Sequence, residues 1–152
     1  MRLRKKCLFA IFVCVSILLG QNSVAQTKPT DYVNPYIGTG GHGHTFLGVA
    51  APFGAVQLGL SNFYQGWDWS SGYHYSDSVT VGFSHLHLSG TGCTDSGDII
   101  LMPYTGEKTI SWGSHGEPET GYASLYSHDD EVAKAGYYSV ILKSHNVKAE
   151  LT

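Results

Sequence analysis

Between Val81 and Asp98 the chain reads V-G-F-S-H-L-H-L-S-G-T-G-C-T-D-S-G-D. This stretch gathers side chains that could do chemistry: His85 and His87, the hydroxyl of Thr91, the thiol of Cys93, and the acids Asp95 and Asp98. In an extended chain side chains alternate with a period of two, so His85 and His87 would share one face. Ser89-Gly90-Thr91-Gly92 then breaks the strand and lets another group approach the backbone. A strand, a polar glycine loop with His and Asp, and a second apolar run from Ile99 form a pattern that builds a site at the rim of a β-sheet. A catalytic thiolate needs a positive neighbour, and Cys93 has none adjacent in sequence, so it is expected as a buried thiol in the loop.

A second stretch, Gly66-Trp67-Asp68-Trp69-Ser70-Ser71-Gly72-Tyr73-His74-Tyr75, mixes large aromatic rings with polar groups. Aromatic faces beside carboxylates suit sugars, because C–H groups stack on the ring while hydroxyls bond to the acid. Trp67 with Asp68 is therefore read as a binding pair. Trp69 and Tyr75 are equally compatible with half-buried strand positions. His85 stands where a strand end meets the glycine loop, from which a side chain can reach a rim site. Thr91 and Asp95 complete the candidate substrate-binding set of Trp67, Asp68, His85, Thr91 and Asp95.

A third stretch, Gly38-Thr39-Gly40-Gly41-His42-Gly43-His44-Thr45, looks at first like a phosphate loop. It lacks the G-K-[ST] ending and no helical pattern follows, which rejects nucleotide binding. His42 and His44 could form an H-x-H metal pair, but no third ligand stands in register. They are expected to line a pocket or to satisfy loop backbone, and no metal site is assigned to this chain.

The elements that must position these residues read as short strands. Val49 to Leu60 reads as a loop feeding a short strand, and Val79 to Leu88, Asp98 to Tyr104, Thr109 to Trp112, Ala123 to His128, Tyr137 to Leu142 and Val147 to Thr152 carry the apolar or alternating patterns. Turns fall between them every ten residues or so. Asp129-Asp130-Glu131 and the residues up to Gly136 read as a solvated acidic turn. The fold class is all-β, an antiparallel sandwich. Val147, Ala149 and Leu151 face one way when the chain stops, so residues 26–152 read as a sandwich domain incomplete at its C-terminal end.

Residues 1–25 read as an export signal. Arg2, Arg4, Lys5 and Lys6 form a basic start, and Cys7 to Leu19 is an apolar run of about 13 residues, where a spanning helix needs about 20. Ser23-Val24-Ala25 offers small residues at the cleavage-recognition positions, so a cut before Gln26 is expected, with no membrane span afterwards. Removing that segment leaves five Lys+Arg against twelve Asp+Glu, a net charge of −7. An acidic surface argues against nucleic acid and anionic lipid and is compatible with neutral sugars and divalent cations. Cys93 alone survives cleavage, so no internal disulfide forms. Export leaves the periplasm, the cell surface and the medium as possible locations.

Several of these stretches carry a resemblance. Asn34-Pro35-Tyr36-Ile37-Gly38-Thr39-Gly40-Gly41-His42-Gly43-His44-Thr45, Pro52-Phe53-Gly54, Gly66-Trp67-Asp68-Trp69, Ser71-Gly72-Tyr73-His74-Tyr75-Ser76-Asp77, Gly82-Phe83-Ser84-His85, Leu88-Ser89-Gly90-Thr91-Gly92, Gly97-Asp98, Gly136-Tyr137-Tyr138 and Ala149-Glu150-Leu151-Thr152 are similar to the N-terminal domain of glycoside hydrolase family 92. Leu47 and Leu86 stand where that pattern would have a proline and a threonine. The resemblance implies an exo-α-mannosidase that needs Ca2+ and inverts the anomeric centre, acting on mannose-containing glycans such as N-glycans. It implies a β-sandwich that packs on a helical (α/α)6 barrel and lends loops to the sugar pocket. The barrel would hold the general acid, the general base and most calcium ligands. No catalytic residue is then expected in this chain, and Asp95 and Asp98 serve pocket structure. Two other readings compete. A free-standing carbohydrate-binding module would stack sugar on Trp67 and Trp69, and a coding region ending at Thr152 would favour it. A zinc hydrolase would use His42, His44, His85 and His87, and stoichiometric zinc would favour that.

Overall fold

A computed structural model describes residues 27–94, 97, 99–107 and 109–152. The leader expected over residues 1–25 and the acids Asp95 and Asp98 lie outside them. The chain divides into two units, Met1–Tyr32 and Val33–Thr152. In the first, Pro29–Tyr32 forms a single 3-10 turn, with the Lys28 amide donating to Asp31 Oδ2 at 2.9 Å.

The second unit consists of two antiparallel sheets. One runs β1 (Gly48–Val49), β2 (Leu58–Asn62), β3 (Val79–Ser84) and β4 (Ile100–Leu101), with β5 (Ser124–Leu125) pairing the other half of β3. The second runs β6 (Val132–Lys134), β7 (Tyr137–Leu142) and β8 (Val147–Leu151). β3 is buried along all six residues because β2 flanks it on one edge and β4 and β5 share the other. Gly82, at φ +131°, makes that division possible. A Cβ there would stand 2.6 Å from the Leu101 carbonyl, so only glycine lets β4 close on β3. The pairing with β2 shifts register at Ser61 and Asn62, the mark of a bulge.

β8 alternates cleanly, while β7 buries Ser139 along with its apolar residues. Tyr138, Val140 and Leu142 are fully buried, while Lys148 and Glu150 face solvent between the buried Ala149 and Leu151. These residues meet Leu47, Val49, Leu60, Tyr73, Phe83 and Tyr126 of the first sheet and its loops in one core. Two sheets sharing one apolar layer make a β-sandwich, as the strand pattern indicated. No helix among the described residues is long and apolar enough to cross a membrane.

Three expectations are corrected. Thr109 to Trp112 forms no strand. Ile110 is 98 % exposed, while the Ser111 and Trp112 carbonyls accept from the Tyr122 and Ala123 amides and the Trp112 ring lies 6.5 Å from that of Phe63. Alternation there has no apolar face to cover it. The strand expected over Asp98 to Tyr104 shrinks to Ile100–Leu101. The acidic turn contains β6, and its last acid, Glu131, is buried rather than solvated.

Candidate functional site

Trp67–Trp69 forms a one-turn 3-10 helix that starts at Gly66. A buried carboxylate fixes it from below. Asp77 accepts from Trp69 Nε1 and Gln65 Nε2, both at 2.8 Å, on Oδ2. On Oδ1 it accepts from the Ser78 amide at 2.7 Å, the Val79 amide at 3.0 Å and His115 Nε2 at 3.0 Å. Five donors saturate this acid, which leaves it no capacity for a ligand. The Trp69 ring is also stacked on His74 at 4.4 Å. His74 Nδ1 accepts from the Ser76 amide, so Nε2 carries the proton and donates to the Gly41 carbonyl at 3.3 Å. The histidine loop is thereby tied to the tryptophan turn.

That leaves Trp67 facing outward, 57 % exposed. Three groups crowd its indole. His44 approaches with ring centroids 4.1 Å apart and His42 with 5.4 Å. Gly92 is the third: a Cβ at that position, φ +67°, would lie 2.8 Å from Trp67 Nε1. The glycine loop can therefore lie against the indole only because Gly92 has no side chain. The Gly90 amide donates to the His44 carbonyl at 2.5 Å, closing loop onto loop. Asp68 points to the same corner and bonds His42 Nδ1 at 2.5 Å.

Of the candidates, Trp67 and Asp68 thus lie together, and Thr91 is the exposed residue beside Gly92, its Oγ1 accepting from the Cys93 amide at 3.4 Å. His85 sits elsewhere. It follows the last residue of β3, and its Nδ1 donates to the Ile99 carbonyl at 3.4 Å. No hydrogen bond or ring contact joins it to Trp67 or Asp68 among the described residues. Asp95 lies outside those residues. His87, expected beside His85 on one strand face, is instead past the strand end and buried. Its Nδ1 donates to the Gln57 carbonyl at 2.7 Å, its Nε2 accepts from Ser61 at 3.2 Å, and Phe46 is stacked on it at 5.2 Å. Burial, aided by the neighbouring His85, lowers its pKa, against the pull of the Gln57 carbonyl. Cys93, expected buried, is exposed.

Sequence reasoning left His42 and His44 outside the candidate set. Their H-x-H spacing marked them, but only the fold brings them 26 residues along the chain onto Asp68 and Ser70. Beside this corner a cavity of about 290 Å³ is lined by Ser61, Asn62, Trp69, Ser70, Ser84 and His87, among others. It shares Trp69 and Ser70 with the tryptophan turn, and its wall is rich in hydroxyl and amide groups.

Calcium does not fit the described residues. No three His, Cys, Asp or Glu side chains among them converge on one point. The acids that lie inward are already engaged: Asp77 by its five donors, and Glu131 by two phenols and a histidine.

The rim of the sandwich thus carries an outward tryptophan beside a carboxylate and two histidines. Residues 32–152 match the family model described as the glycosyl hydrolase family 92 N-terminal domain. The chain belongs to glycosyl hydrolase family 92. It is 46 % identical to a family GH92 α-mannosidase from Bacteroides thetaiotaomicron solved in complex with mannoimidazole, with a TM-score of 0.77 over 81 % of this chain and 16 % of that one. The GH92 family glycosyl hydrolase ccman5 superposes with a TM-score of 0.60 at 32 % identity, covering 73 % of this chain and 14 % of that one. An "uncharacterized secreted glycosidase" of Arthroderma benhamiae is 30 % identical over 128 residues, which are 80 % of this chain and 15 % of the relative. The chain thus spans about a sixth of the length of these proteins.

Proposed function

We propose that this chain is the sandwich part of an exported, calcium-dependent α-mannosidase that removes terminal mannose from glycans such as N-glycans with inversion. The observation that carries this reading is the Trp67–Asp68 corner, held rigid by Asp77 on a family 92 scaffold. The likeness to an α-mannosidase solved with mannoimidazole supports the sugar, and the likeness to a glycosidase named as secreted supports export. In this proposal the exposed indole takes the C–H face of the terminal mannose. Asp68, oriented by His42, accepts a sugar hydroxyl. Thr91, on the loop that lies against the indole, borders the same pocket.

Inversion needs two carboxyl groups about 6.5–9.5 Å apart with a water between base and sugar. We assign that pair, and most of the calcium coordination, to the remainder of the protein, a helical barrel on which this sandwich packs. The role of this domain is to bind and orient sugar, and no proton transfer is assigned to it.

The test is Trp67→Ala and Asp68→Ala in the enzyme that carries this domain, with kcat/KM on an aryl α-mannoside and Tm measured together. A loss of about ten-fold or more in kcat/KM with Tm little changed supports the pocket role, ten-fold being about 1.4 kcal/mol of transition-state binding. Variants that melt several degrees lower yet keep near-normal kcat/KM at 25 °C mark both residues as scaffold.

A further inference from the structure

His44 is the residue whose chemistry is left incomplete. It is only 6 % exposed. Its Nδ1 lies 2.7 Å from Ser70 Oγ, but its Nε2 is buried and finds no hydrogen-bond partner among the described residues. An unmatched buried polar atom is destabilising, and native structures rarely keep one without a use. His44 also holds φ +54°, a left-handed conformation that is uncommon outside glycine. Such residues persist where surrounding contacts over-determine them, and here the Gly90 amide, the Ser70 hydroxyl and the Trp67 ring do so. Its ring is packed on the tryptophan proposed to carry the sugar.

The two tautomers narrow the missing partner. If Ser70 donates to Nδ1, Nε2 carries a proton and needs an acceptor. If Nδ1 donates to Ser70, Nε2 offers a lone pair and needs a donor. A hydroxyl satisfies either case, because it both donates and accepts. The geometry points to His44 Nε2 as a specificity-determining contact for one hydroxyl group of the terminal sugar on Trp67. This rests on the proposed sugar site and adds a named atom to it.

The experiment is a cycle between residue and hydroxyl in the enzyme that carries this domain. kcat/KM is measured for an aryl α-mannoside and for each of its mono-deoxy analogues, on the native protein and on His44→Phe, which keeps a ring against Trp67 and removes both nitrogens. One deoxy position is expected to cost the native enzyme about ten-fold and the variant almost nothing further. His44→Gln, whose amide reaches to where Nε2 stands, is expected to restore part of that discrimination, and His44→Asn, whose amide mimics Nδ1, is not. The Gln and Asn pair serves equally if the Phe variant does not fold. Equal losses for every analogue in native and variant proteins overturn the inference, and mean that water alone completes His44. The Trp67→Ala result is separate. If it leaves kcat/KM intact the sugar site itself is wrong, whereas a Trp67 effect without coupling at His44 sinks only this inference.

Discussion

Two clusters in this molecule are built from the same residue types and do opposite things. Between the sheets, the Glu131 carboxylate accepts from Tyr138 at 2.6 Å, from Tyr73 at 3.0 Å and from His128 Nδ1 at 2.6 Å, while His128 Nε2 faces the Tyr75 carbonyl at 2.6 Å. Its side chain is fully buried, and Tyr75 is stacked on the His128 ring at 4.2 Å. At the rim, Asp68, His42, His44 and Trp67 repeat the acid, the histidines and the aromatic ring. There the indole is exposed, Asp68 has one histidine partner, and His44 Nε2 has none among the described residues. A saturated polar cluster holds sheets together, and one with spare capacity can meet a ligand. The difference lies in satisfaction and exposure, not in composition.

Breaking the saturated cluster should have the largest effect. Glu131→Ala leaves two phenols and a histidine without their acceptor inside the sandwich. Stability should fall by roughly 3 kcal/mol or more, read as a shift of the urea midpoint. The KM of the folded fraction should stay unchanged. A variant of native stability would show that the cluster does not join the sheets.

The same cluster sets an alkaline limit. Burial first, and then the Glu131 charge, raise the pKa of Tyr36 to about 12 and push those of Tyr73 and Tyr138 well above the ordinary phenol value. For Tyr126 burial is again the largest cause. A phenol whose folded pKa lies above its unfolded value, about 10, gives stability that is complete below pH 10 and lost as the pH rises above it. Phenolate absorbance from the buried tyrosines Tyr73, Tyr126 and Tyr138 should therefore appear only together with loss of the native circular dichroism. His87 acts at the other end. Its pKa is lowered from 6.5, so its contribution is present above pH 6.5 and is lost as the pH falls below that. Smooth ionisation of every tyrosine in the folded state would contradict the first assignment.

Much of the scaffold was legible in sequence. Tyr137 to Leu151 gave its alternation and its turn directly, because Tyr138, Val140, Leu142, Ala149 and Leu151 form one dry face. The Trp67–Asp68 pair was legible as a candidate, since a dipeptide carries its own chemistry, and the fold sets the two side chains on one corner with His42. What stayed hidden depends on partners distant in sequence. Nothing local to Asp129-Asp130-Glu131 shows that two phenols, one of them 58 residues away, wait inside for the last acid. His42 and His44 gained their meaning from Asp68 and Ser70, and Asp77 from Trp69, Gln65 and His115. Cys93, with no positive neighbour in its glycine loop, was read as a buried thiol, but that loop lies on the surface, where Gly92 serves the approach to Trp67.

An intermediate case tests the boundary between the clusters. Trp69→Phe keeps the ring over His74 and deletes the Nε1 donor to buried Asp77. The other donors remain, so the stability loss should be about 1–1.5 kcal/mol. The turn that presents Trp67 should loosen, however, and KM should rise with it. A change in Tm with no change in KM would separate Trp69 from the site.

The smallest thermodynamic effect belongs to His42. Its hydrogen bond to Asp68 is short, but the histidine side chain is 75 % exposed and that of Asp68 28 %. Exposed pairs contribute about 0–1 kcal/mol, since solvent competes for both partners. His42→Ala should accordingly leave the urea midpoint within about 0.5 kcal/mol of the native value. If the rim has spare capacity by construction, the functional consequence should exceed the structural one. Asp68 without His42 loses its orientation but keeps its charge, so KM should rise several-fold while kcat changes little. His42→Gln, which can still donate to Asp68, should recover part of that loss. A His42→Ala variant that is clearly less stable, with KM unaltered, would place His42 with the saturated scaffold and remove the contrast between the two clusters.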